Sequence, residues 1–127
     1  MCIRDRIITY GWCVGEALTA AEVLTKEGIN AEVLDLRTVV PLDVGAILES
    51  VSRTRRAVVL HAAVEFAGFG AEIASIISSR LHGHLAAPVA RVGGRYTPVP
   101  FAAGLEAMHF PSAERTITAA RAVMTHR

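Results

Sequence analysis

The strongest constraint in this chain is an alternation: short apolar runs rich in β-branched residues are each followed by a stretch with apolar side chains at helical spacing. Ile7 to Tyr10 ends at Gly11 and reads as a buried strand with its turn. Leu18, Ala21 and Leu24 or Thr25 then recur at helical spacing over Gly15 to Glu27, with Glu16 in the first turn and Gly28 as the stop. Ala31 to Leu36 is the second predicted strand. Asp43 is the N-cap candidate for a helix that places Val44, Ile47, Leu48 and Val51 on one face and ends near Arg53 to Arg56. The unbroken apolar run Ala57 to His61 is the mark of a strand covered on both sides. A turn at Gly68 to Gly70 leads into a helix through Ile73, Ile76, Ile77 and Leu81, stopped by Gly83. Val89 to Val92 is the fourth predicted strand, followed by a Pro-rich loop around Pro98, Pro100 and Pro111 and a last helix from Ser112.

This order implies parallel strands joined by right-handed crossovers, hence a three-layer α/β/α domain with a parallel sheet of four strands. Ligands in such sheets gather at the carboxyl ends of the strands. Here those ends are Gly11 to Gly15, Leu36 to Pro41, His61 to Gly70 and Gly93 to Phe101. With 127 residues, 52% hydrophobic and 20% charged, the chain has the composition of one domain with an ordinary core. Thirteen Lys and Arg against twelve Asp and Glu give no general attraction to nucleic acid. Apolar stretches fall well short of the roughly 20 residues that cross a bilayer, so no membrane span is expected. Two cysteines, Cys2 and Cys13, form neither a disulfide framework nor a metal spacing, which predicts a reducing, cytoplasmic setting. The first six residues, MCIRDR, back-translate as ATG TGT ATA AGA GAC AG, which resembles a transposon-end sequencing adaptor. Residues 1–6 are therefore expected to be an artefact, with native sequence starting near Ile7 inside a strand.

The residues that invite a chemical reading are few. Gly68 and Gly70, between a strand and a helix, offer backbone N–H groups to an anion. The spacing is not G-x-G-x-x-G, however, and Glu72 brings a negative charge to the first turn, so close packing of helix on sheet is the favoured reading. His61 stands at a strand end suited to a general base, but no Ser or Cys nucleophile accompanies it nearby in sequence, and a structural or interface role is favoured. His82 and His84 form an H-x-H pair that reads as solvated side chains at a helix end. Cys13 reads as inert packing. Trp12 is expected to be exposed unless another subunit covers it.

Five segments carry a resemblance: ITYGWCVGEAL, GINAEVLDLRTVVPLD, VSRTRRAVVLHAAVEFAGFGAEIASII, APVARVGGRYTPVPFAAGLE and FPSAER. In this order and spacing they resemble the carboxyl-terminal, transketolase C-terminal-like domain of the β subunits of pyruvate and branched-chain 2-oxo-acid dehydrogenases, from about Ile7 to the end. The resemblance implies a five-stranded mixed sheet in which the first, antiparallel strand falls before Ile7. It also implies a complete enzyme of α and β subunits using thiamine diphosphate and magnesium, both held outside this segment, and no cofactor bound by the segment itself. The implied partners are an α subunit, a second β subunit and the dihydrolipoyl acyltransferase core. The interface candidates on the strand-end loops are Trp12, His61, Phe66, Gly68, Phe69, Gly70 and Phe101. The chain departs from the family at Ala62, where relatives commonly carry Glu after the strand; that carboxylate is either lost or replaced by Glu65 from a shifted position. The H-A-A form resembles the branched-chain type more than the mitochondrial pyruvate type. Two other readings are a free-standing α/β regulatory domain with an anion site at Gly68 to Gly70, and a transketolase-type relative with another acceptor.

Overall fold

The parallel sheet is organised around two inner strands, β1 (Ile3–Thr9) and β3 (Val58–Val64). In the computed structural model, which describes residues 3–126, β1 is flanked by β2 (Ile29–Asp35) and β3 by β4 (Ala90–Gly94). The strand order is β2-β1-β3-β4, all parallel as predicted. β1 and β2 pair over their full length, from Ile3 opposite Ile29 to Thr9 opposite Asp35.

Strand alternation sends successive side chains to opposite faces, and both faces are covered. Ile7, Val58, Leu60 and Val92 form one core with Ala17, Ala20 and Leu24 of α1 (Cys13–Lys26) and Ala120 and Val123 of α5 (Ala113–Thr125). Ile8 and Val59 form the other with Ile47 and Val51 of α2 (Val44–Thr54) and Ile73 and Ile77 of α3 (Phe69–Arg80). Each fully buried Ile or Val is worth roughly 1.5 to 3 kcal/mol over an exposed one, which is why the unbroken apolar run of β3 requires helices on both sides.

The caps follow the sequence signals. The Asp43 side chain accepts the Ala46 N–H at 2.9 Å, and the Ser112 hydroxyl accepts the Arg115 N–H at 3.2 Å. Gly28, at φ +82°, ends α1 in a conformation that side chains disfavour. Three expectations are corrected. β1 runs over Ile3–Thr9 rather than Ile7 to Tyr10, because residues before Ile7 continue the ladder against Ile29–Glu32. β3 continues past His61 to Val64. The Pro-rich loop contains a helix, α4 (Ala103–His109), whose Ala, Leu, Glu and Met residues are good helix formers between the flanking prolines. Of the amino-terminal hexapeptide, Met1 and Cys2 lie outside the described residues. Among the described residues no helix is long and apolar enough to cross a membrane.

The extended β1 carries charge into the interior. Asp5 is fully buried, with Oδ1 accepting the Arg6 N–H at 2.7 Å and Oδ2 without a partner among the described residues. Arg6, also buried, pairs with Glu32 across the β1–β2 ladder. Burial pushes the Asp5 carboxyl up to about 6, against the opposing pull of its backbone hydrogen bond, Arg56 and Arg6. A carboxyl whose folded value is raised binds its proton more tightly when folded. Its contribution to stability is therefore greatest below about pH 4 and is lost as the pH rises to about 6. Keeping this group ionised in the fold at neutral pH costs about 3 kcal/mol. Asp5→Asn should raise stability at pH 7 by an amount of that order and flatten the pH profile between 4 and 6, measured by urea unfolding. A variant as unstable as the parent at pH 7 contradicts the buried charge.

β2 has a partner on one side only among the described residues, and its free backbone edge is a template for pairing. The isolated chain should therefore self-associate, with mass rising over the micromolar range in sedimentation. A monomer with uniformly protected β2 amides is the contrary result.

Candidate functional site

The strand-end loops converge around His61, which lies mid-strand in β3 with no solvent exposure and with neither ring nitrogen bonded among the described residues. Its ring is held by shape. A Cβ built on Gly70 would stand 2.1 Å from His61 Nε2, one on Gly68 would meet the ring at 3.1 Å and the Val64 carbonyl oxygen at 1.9 Å, and one on Gly93 would meet the ring at 3.2 Å. Gly70 is thus required for backbone to approach the imidazole this closely, while at Gly68 and Gly93 a side chain is excluded first by the Val64 and Ala63 carbonyls. Tyr10 stacks over the ring at 6.5 Å, and Phe69 meets Tyr10 edge-on at 5.9 Å. Burial, helped by Arg91 and opposed by Glu65, holds His61 below the ordinary histidine range, so the imidazole is neutral in the fold.

This arrangement corrects part of the sequence reading. His61 and Gly70 are interior, and cannot themselves be surface contacts. Phe69 is half-buried and packs against the core with Ile73 and Ile77, while Gly68 caps α3 and is partly covered. The Gly68 to Gly70 turn is filled from below by the His61 ring, so it serves packing. Trp12, Phe66 and Phe101 are exposed as expected, at 55%, 64% and essentially complete exposure.

Around these three the structure adds neighbours that the sequence did not single out. Phe66 touches Tyr96 at 4.8 Å, Trp12 meets Phe110 edge-on at 5.9 Å, and Leu105 and Met108 of α4 stand in solvent. An open cleft of about 620 Å³ runs beside them, lined by Arg95, Thr97, Leu105, Met108, His109 and Arg115 among others. The loops are tied by polar contacts. Glu65 Oε1 accepts both the Gly93 N–H and Arg115 Nη2, each at 3.0 Å. Arg115 Nη1 reaches the Phe110 carbonyl at 3.2 Å, and Arg91 donates to the Glu65 carbonyl. Thr97 Oγ1 lies 3.3 Å from Nδ1 of the buried His109. The Glu16 carboxylate accepts the Ala113 N–H at 2.6 Å, joining α1 to the start of α5. The Glu65–Arg115 pair spans 50 residues, and no local periodicity could have revealed it.

The chemistry available is limited. Cys13 is buried at the start of α1, and burial with Glu16 nearby pushes its thiol up to about 11, the opposite of activation. His84 is exposed, with Nε2 2.9 Å from the Ser52 carbonyl. Among the described residues no group of three or more His, Cys, Asp or Glu comes together to hold a metal ion. What the strand ends do offer is a rim of exposed aromatic and aliphatic side chains on a polar framework, the composition of a protein contact.

Comparison with known proteins agrees with the fold and gives its relatives. Residues 6–116 match the family model for the transketolase C-terminal domain. The pyruvate dehydrogenase E1 component subunit beta of Rickettsia bellii is 44% identical over 117 residues, 92% of this chain and 36% of the relative. That of Bacillus subtilis is 44% identical over 118 residues. The acetoin:2,6-dichlorophenolindophenol oxidoreductase subunit beta of Cupriavidus necator is 43% identical, covering 93% of this chain and 35% of the relative. The chain thus spans about a third of the length of these relatives. Among solved structures, an inactive β4 tetramer of a split-gene transketolase superposes with a TM-score of 0.78 at 25% identity, covering 99% of this chain and 40% of that one.

The glycine cradle can be probed by filling it. Gly70→Ala should destabilise the domain by about 1 to 3 kcal/mol through overpacking, and the loss should shrink markedly in a His61→Ala background, where the ring is gone. Denaturant unfolding of the two single variants and the double variant measures the coupling. Additive losses are the outcome that rules out contact between Gly70 and the ring.

Proposed function

Because the chain belongs to the transketolase C-terminal domain family, we propose that it is the assembly domain of the β subunit of a thiamine-diphosphate-dependent 2-oxo-acid dehydrogenase. The observation that carries this reading is the match over residues 6–116 together with relatives that are β subunits of pyruvate and acetoin enzymes. The exposed aromatic rim at the strand ends supports it, since side chains such as Phe66, Tyr96 and Phe101 gain most when a second protein covers them.

In the complete enzyme the reaction is oxidative decarboxylation of a 2-oxo acid with acyl transfer to a lipoyl group. Thiamine diphosphate and magnesium supply the carbanion chemistry, bound by residues outside this segment. This chain's own contribution is mechanical: it presents a shaped surface to a second β subunit across a two-fold axis, and to the α subunit and the acyltransferase core around it. Substrate choice rests with residues elsewhere, and the pyruvate and acetoin relatives share this domain at nearly equal identity.

Two measurements test the proposal. The isolated chain should show no saturable thiamine diphosphate binding in calorimetry, and micromolar affinity would refute a purely structural part. In the complete enzyme, Phe66→Asp should weaken β–β association by about tenfold or more, as for a central aromatic contact, with the domain's unfolding midpoint unchanged. Phe66 is the better probe than Phe69, because Phe69 packs on the core and a charge there would disturb the fold. Unaltered association in sedimentation equilibrium would place the interface elsewhere.

A further inference from the structure

We propose that Glu65 is the positioning residue of this assembly surface, fixing the loop that carries Phe66 against the loop that carries Tyr96. The inference rests on reading the strand-end rim as a subunit interface. Its physical basis is a shortage of other restraints. Phe66 is 64% and Tyr96 74% exposed, so little buried area holds either ring in place before a partner arrives. Ala67, beside Phe66, sits at φ +56°, a conformation that a non-glycine residue adopts only where its surroundings enforce it.

The enforcing contacts converge on one residue. A single carboxylate oxygen of Glu65 takes the Gly93 N–H from β4 and the Arg115 guanidinium from α5, and the Glu65 carbonyl takes Arg91. The Glu65 N–H closes the ring by donating to the Gly94 carbonyl at 3.0 Å. Arg115 passes the restraint on through Nη1 to the Phe110 carbonyl, next to the ring that meets Trp12. An isolated surface ion pair is worth little, but here the same side chain also satisfies a strand N–H, and the planar guanidinium joins two carbonyl-bearing segments at once. Removing the carboxylate would free the Gly93 N–H and leave Arg115 facing Arg95 in the cleft without its partner.

Preorganisation of this kind is read in association, because an interface whose loops are already ordered loses less entropy on binding. The test uses the complete β subunit with its α partner. Phe66→Asp reports on the interface itself, Glu65→Ala on the restraint, and Glu65→Gln keeps the acceptor oxygen while removing charge. Glu65→Ala should weaken β–β association by about tenfold, equivalent to about 1.4 kcal/mol. It should also speed amide exchange at Tyr96 and Thr97 without changing exchange in β1 or β3. Glu65→Gln should restore most of both. If Phe66→Asp leaves association intact, the interface reading fails and the inference with it. If Phe66→Asp disrupts association while Glu65→Ala alters neither association nor loop exchange, only the Glu65 assignment is overturned. Should Glu65→Ala unfold the domain, Arg115→Lys decides instead, since lysine keeps the charge and loses the two-pronged contact: intact association and loop exchange in that variant refute the proposal.

Discussion

Everything in this domain hangs on the parallel pairing of β1 with β3, in which Ile7 lies opposite Val58 and Thr9 opposite Leu60. Consecutive residues of these strands enter different cores, Ile7 with α1 and α5, Ile8 with α2 and α3. Fixing this pair therefore fixes which helices lie on which face. Beyond Leu60 the ladder passes to β4, whose Gly94 stands opposite Val64 just before Glu65 and Phe66. A one-residue slip would exchange the two cores and turn His61 to the other side of the sheet.

The fold was legible because its main signals are local. The apolar run of β3, the caps Asp43 and Ser112, and the stop at Gly28 each act within a few residues, and each occupies its expected place. The boundaries were less legible, since a strand extends for as long as its neighbour offers a ladder, and the residues before Ile7 resemble an adaptor and are charged at Arg4, Asp5 and Arg6. α4 was missed because prolines on either side outweighed the good helix formers Ala103, Leu105, Glu106, Ala107 and Met108.

The candidate surface was half legible. Trp12, Phe66 and Phe101 were readable as large apolar residues on strand-end loops. His61, Gly68 and Gly70, expected among the interface candidates, instead pack together, the ring occupying space that glycine leaves. Glu65 stood out in the sequence beside Ala62, yet its partners Gly93 and Arg115 are brought to it only by the completed sheet. Long-range polar contacts of this kind leave no periodic trace.

Between Leu60, opposite Val92, and Val64, opposite Gly94, β3 spends four residues where β4 spends two. The surplus chain bulges from the ladder just before Phe66, whose ring meets Tyr96. His61 and Ala62 lie within that stretch and pack inward, so an insertion or deletion there would shift the rim and the core beneath it together.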